Sequence, residues 1–194
     1  MKNIQKILTL IFIITVLISC NKPSIEKAEI LIKAQKYDEA IKIIRPMAEE
    51  GFEKAQNHLG VRYNLGQGVT QDYKEAIKWY TKAAEQGLAN AQFNLGGMYY
   101  LGQGVTQDYK EAIRWYTKAA EQGLADAQFN LGSIYRRGQG VTQDYVEAHK
   151  WINLSAVQNT KAIVDRNKIE TEMTKAQIAK AQKLASEFVV KKEK

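Results

Sequence analysis

Leu65–Gly96 reads LGQGVTQDYKEAIKWYTKAAEQGLANAQFNLG, and Leu101–Gly132 repeats it with two changes in 32 positions, Lys78 to Arg114 and Asn90 to Asp126. A third, looser copy starts at Arg137. Self-similarity at a period of 36 residues is the signature of a stacked-repeat protein. One such unit cannot bury its own apolar face, so neighbours stack and share a core. An array of this kind offers extended surface rather than a unique catalytic pocket.

Each unit reads as two helices. No segment alternates apolar and polar residues long enough to argue a strand; the apolar residues recur at helical spacing instead. Helix A of the middle unit is expected over about Ala89 to Leu101, with Leu95 and Tyr99 four apart on one face. Gly96 lets a neighbouring helix come close, and the G-x-G turn at Gly102 and Gly104 ends the helix because glycine tolerates left-handed backbone. Helix B starts at Asp108, which with Glu111 has the spacing of a capping box. The pair recurs as Asp72/Glu75 and Asp144/Glu147. Helix B sets Ala112, Trp115, Tyr116, Ala119 and Ala120 on its packing side, and Gly123 closes it.

These residues resemble the Sel-one-like repeat family, relatives of the tetratricopeptide repeats. The matching positions of the middle unit are Ala91, Leu95, Gly96, Tyr99, Gly102, Gly104, Val105, Asp108, Ala112, Trp115, Tyr116, Lys118, Ala119, Ala120 and Gly123. Gln92 stands where a tetratricopeptide unit has the aromatic that opens helix A, and the turn carries extra residues; both favour the Sel-one-like branch. The resemblance spans three units, residues 51–158, and implies an all-α fold, a right-handed α-solenoid of stacked helix-turn-helix repeats. Residues 24–50 read as an incomplete first unit without the long glycine turn. Residues 159–194 read as capping helices. Thr174 and Gln177 form a capping box there, and Ile178, Ala181, Leu184, Ala185 and Phe188 give the face that covers the last unit.

The first 19 residues are expected to lie outside the fold. Lys2 and Lys6 precede an apolar run from Ile7 to Ile18, which is too short to span a bilayer, where about 20 residues are needed. The run ends in Leu17-Ile18-Ser19-Cys20, which resembles the bacterial lipoprotein signal. That resemblance implies cleavage before Cys20, lipidation of its thiol, and an anchored chain with residues 20–23 as linker. Asn21 after the cysteine points, by analogy with enterobacterial sorting, to the outer membrane facing the periplasm. Without Lys2 and Lys6 the 28 basic residues become 26 against 21 acidic, a net of +5, scattered evenly. A nucleic-acid binder would show a basic stripe and a recognisable module; neither is present. Cys20 is the only cysteine, so no intramolecular disulfide forms and packing alone holds the fold.

Chemistry-bearing patterns are scarce. Trp79, Trp115 and Trp151 recur 36 apart and read as core rather than a stacking ladder. His58 and His149 replace the Asn and Ile of the sister units and have no metal-ligand spacing. The G-x-G turns lack the flanking strand of a dinucleotide site. No catalytic residue, metal site or cofactor is expected. Some cysteine-rich relatives of the family are linked to β-lactam binding or hydrolysis; they carry cysteine pairs in each repeat, and this chain has none.

Helix A is expected to line the concave side of the stack. The non-core positions of that helix are Asn57, Val61 and Asn64; Phe93, Gly97 and Tyr100; and Phe129, Ser133 and Arg136. The last two units are nearly identical, yet this stripe changes: Gly97 to Ser133, Tyr100 to Arg136, Leu101 to Arg137. A fixed framework with a varying stripe fits a binding groove, and aromatics and Arg are common interface anchors. Packing between helices is the competing role for Phe93 and Phe129. The expectation is a non-catalytic scaffold for a protein or peptide, anchored in the bacterial envelope, with self-association open. The alternatives are a periplasmic immunity protein that neutralises a toxin, an enzyme acting on cell wall or β-lactams, and a cytosolic adaptor.

Overall fold

The computed structural model describes residues 24–188; the signal-like segment, Cys20 and the basic tail lie outside the described residues. Among the described residues the chain forms ten α-helices and no strand. They are α1 Ile25–Lys33, α2 Tyr37–Glu49, α3 Glu53–Leu65, α4 Tyr73–Glu85, α5 Ala89–Leu101, α6 Tyr109–Glu121, α7 Ala125–Arg137, α8 Tyr145–Ser155, α9 Thr160–Glu170 and α10 Lys175–Ser186. Helices pack mainly on their neighbours in sequence, from α1 on α2 through to α9 on α8, and α10 also packs on α8. That nearest-neighbour pattern is a solenoid.

The helix B elements form because their sequences repeat one amphipathic pattern. Ala76, Trp79, Tyr80, Ala83 and Ala84 are buried at spacings of three and four, and α6 repeats the set. Asp72, Asp108 and Asp144 each accept hydrogen bonds from the second and third backbone amides of the helix they start. The expected capping box is only half made. Its return arm needs the Asp backbone amide, and that amide already donates to Tyr63, Tyr99 or Tyr135 of the preceding helix. Glu75, Glu111 and Glu147 pair with Lys78, Arg114 and Lys150 instead. Thr174 and Gln177 at the start of α10 make both arms.

The two glycines of each turn have separate duties. Gly66, Gly102 and Gly138 end helix A in left-handed conformation, φ 66–68°. The second glycine touches the preceding unit. A Cβ on Gly104 would lie 2.7 Å from Tyr73 Cβ, and one on Gly68 2.8 Å from the Tyr37 carbonyl carbon. The first hairpin has no such turn, and Gln35 supplies its left-handed residue, φ 58°.

Units are joined by the tryptophans and by a glutamine ladder. Trp79, Trp115 and Trp151 are buried, each in the cluster that joins helix A of its own unit to the helix B before it. Gln56, Gln92 and Gln128 are also buried, and each donates to a carbonyl of the preceding helix B, that of Ala48, Ala84 or Ala120, at 3.1 Å. Gln86 and Gln122 then donate to the Oε1 of Gln56 and Gln92 at 2.7 and 2.8 Å. The polar residue at the aromatic position is thus a hydrogen-bonded link between units.

The C-terminal end is hooked by His149. In α4 and α6 its place is held by Ile77 and Ile113. Here the imidazole is fully buried and its Nε2 lies 2.7 Å from Glu170 Oε1 of α9. On α10, Ala181 and Ala185 are buried and Ile178 and Leu184 partly so; Phe188, two residues past the helix, is also partly buried and meets Trp151 edge-on at 5.3 Å.

Candidate partner-binding surface

The nine helix A positions fall on α3, α5 and α7 in three equivalent rows, and all nine are partly exposed. Their surroundings differ. On α3, Asn57 accepts from Asn94 Nδ2 at 3.0 Å, Val61 packs against the core of the next unit, and the Asn64 carbonyl accepts from Gln71. Asn57 and Val61 are thus tied to the next unit, whereas the bond to the Asn64 carbonyl recurs in the other two units, from Gln107 to Tyr100 and from Gln143 to Arg136.

On α5 and α7 the row opens into a cleft. Tyr100, Phe129 and Ser133 line it together with Tyr116, Asn130 and Arg137, and it encloses about 140 Å³. Its aromatic residues are backed by further rings. Tyr100 meets Tyr109 edge-on at 5.4 Å and lies 6.5 Å from Tyr116, and Phe93 is tilted against Tyr116 at 5.6 Å. Phe93 packs between α5 and α6 and does not line the cleft. Gly97 leaves the Tyr116 hydroxyl room: a Cβ there would sit 3.6 Å from it.

Tyr116, Asn130 and Ser133 give the cleft uncharged polar groups, and Arg137 gives it a cation. Burial pushes the Tyr116 phenol up to about 12, against the lowering effect of its hydrogen bond with Asn130. Tyr116 therefore stays neutral at physiological pH and offers a hydroxyl among apolar walls. Tyr100 reaches the next turn, its hydroxyl donating to Gln139 Oε1 at 3.1 Å. Such a mixture suits an apolar side chain with one polar group beside it.

Arg136 is not in this cleft. It lines a second, more open one of about 400 Å³ between the last full unit and α9. Sequence reasoning missed Tyr116 and Asn130 as lining residues. Each is shared with one neighbouring unit, as Tyr80 and as Asn94, and so looked like framework; Tyr116 in addition has an apolar packing role. Arg137 was visible as a change from Leu101.

No group of His, Cys, Asp and Glu among the described residues is arranged to hold a metal ion. His58 and His149 each face a single carboxylate, Glu29 and Glu170. No described helix is long and apolar enough to cross a membrane.

A model of the Sel1 repeat family matches residues 53–88, 89–124 and 125–159. Among solved structures, a Sel1 repeat protein from Oxalobacter formigenes is 38% identical with a TM-score of 0.70, over 74% of this chain and 59% of its own. The c5321 protein, a protective antigen of uropathogenic Escherichia coli strains with an SLR fold, is 33% identical with a TM-score of 0.52, over 77% of this chain and 40% of its own. The chain thus spans three fifths or less of the length of these two relatives. The immunity protein Pa5087 of Pseudomonas aeruginosa matches at 19% identity and a TM-score of 0.37, over 84% of this chain and 79% of its own, too remote to carry an argument. A search of the curated proteins finds no match.

Proposed function

The chain belongs to the Sel1 repeat family, and from that premise we propose that it is a non-catalytic scaffold that binds a protein or peptide along its helix A row. Sel1 repeats generally serve as protein-interaction scaffolds rather than catalysts. One observation carries the reading for this chain. Two nearly identical units differ along the helix A row, and residues of that row, Tyr100, Phe129 and Ser133, line one aromatic cleft. Binding there buries apolar area and breaks no bond.

The proposal includes a lipid anchor at Cys20 in the bacterial envelope, on the outer membrane facing the periplasm. Its support is the Leu17-Ile18-Ser19-Cys20 pattern alone. Only Asn21, Lys22 and Pro23 separate Cys20 from Ser24, which caps α1. The solenoid would therefore sit close to the membrane, and its partner with it.

The test is crosslinking in intact cells followed by capture and mass spectrometry. Native chain is compared with Ser133→Glu, which places a charge in the cleft without touching the core. The expected result is one envelope protein captured by the native chain and lost by the variant at unchanged helicity. The same partners with both chains would overturn the assignment of the cleft.

A further inference from the structure

Helix A ends in Asn64-Leu65 in the first unit, Tyr100-Leu101 in the second and Arg136-Arg137 in the third. The last unit has thus gained two guanidinium groups at one place on a copied frame. Helix α9, which has no counterpart in the matched repeats, adds Lys168 beside them. Arg136, Arg137 and Lys168 line the 400 Å³ cleft with Gln143, Tyr145 and Glu172.

The cleft is rich in donors. Among the described residues, no ion pair engages Arg136, Arg137 or Lys168. Arg136 Nε is buried with no hydrogen-bond partner. Gln143 Nε2 donates to the Arg136 carbonyl at 2.7 Å and to the Tyr145 hydroxyl at 3.2 Å. The Tyr145 oxygen is thereby an acceptor, and its own proton is left to donate. Glu172 supplies the carboxylate of the cleft against three cations. A basic last turn complements the dipole of α7, but that role does not require Lys168 from another helix.

Arg137 also lines the aromatic cleft, so the two clefts share a wall. A small free anion would use the cationic side alone. A peptide would use both.

We propose that this shared rim receives an acidic stretch of a partner protein, with aspartate or glutamate carboxylates among Arg136, Arg137 and Lys168 and a neighbouring apolar side chain in the Tyr100–Phe129 cleft. The proposal rests on the scaffold reading above and gives the partner its chemistry. Guanidinium groups suit it because they bind carboxylates through two parallel hydrogen bonds.

The test is fluorescence anisotropy with the full chain in detergent and three labelled peptides. One carries leucine beside a run of aspartate and glutamate; in the others those acids become asparagine and glutamine, or lysine. The acidic peptide is expected to bind and to weaken as salt is raised. It should lose at least about tenfold in affinity on Arg136→Gln/Arg137→Gln. Glu172→Gln removes the competing carboxylate and should tighten binding, and Ser133→Glu should weaken it. Equal binding of the acidic and neutral peptides overturns the proposal, as does acidic binding that survives the double exchange. Full displacement by inorganic phosphate with no effect of Ser133→Glu makes it an anion site and overturns the peptide assignment. If no peptide binds while Ser133→Glu still abolishes capture in cells, the acidic partner falls and the scaffold reading stands.

Discussion

At position 62 the first unit carries arginine where its sisters carry Met98 and Ile134, and all three side chains are buried. The guanidinium lies 5.1 Å from the Tyr37 ring, but its Nε and Nη1 have no hydrogen-bond partner. Burial holds its pKa below the usual arginine range. A buried charge without full pairing is a net cost, so Arg62→Met is expected to stabilise the fold by about 1–2 kcal/mol, read as a higher urea midpoint. An unchanged or lower midpoint would mean that the contact with Tyr37 outweighs the desolvation. His58, beside it on α3, replaces the Asn94 and Asn130 of its sisters. Burial pushes its pKa below 6.5, opposed by Glu29 and assisted by Arg62 and Lys54. The folded state then favours neutral imidazole. Its stabilisation is complete above the unfolded pKa and is lost as pH falls through the lowered folded one. Between about pH 7 and 5 the melting temperature of the native chain should fall more steeply than that of His58→Asn; equal slopes would clear His58 of the effect. Both residues were legible in the sequence as departures from the repeat. Their burial was not, because a departure marks a changed position without saying what the neighbours do about it.

Helix boundaries were read well because each has a local chemical cause. Asp at the start and glycine at the end act within one turn, and α5 and the start of α6 fall where those signals stand. The capping box failed for a non-local reason, the carbonyl of Tyr99 reaching the Asp108 amide from the preceding helix. The glutamine ladder was missed on the same ground. Gln92 looked like an absent aromatic, and only the packed units show its amide between Ala84 and Gln122. Gln92→Ala removes a buried bond to the Ala84 carbonyl, which keeps the Gly87 amide as donor, and is expected to cost about 0.5–1.5 kcal/mol. Chemical denaturation would read it, and a loss well under that range would show that water takes over the bond.

On the scale of the whole chain, the period of 36 residues was enough to establish an array, because each unit needs a neighbour to complete its core. The ends were less legible. His149 read as structural or incidental, and the structure makes it the first of these: it ties α9 to α8 through Glu170, a partner that the sequence did not point to. The surface was legible in part. Varying positions along the helix A row pointed to Tyr100, Phe129 and Ser133, while the division of that row into tied residues on α3 and an open cleft on α5 and α7 depends on side-chain packing across units. The central claim is that this cleft is where a partner binds. The most direct measurement is photo-crosslinking in living cells from a reactive side chain at Ser133, compared with one at Lys82, which lies against Trp79 on helix B. One protein crosslinked from position 133 and absent from position 82 is the expected result. The same species from both positions, or from position 82 alone, would contradict it.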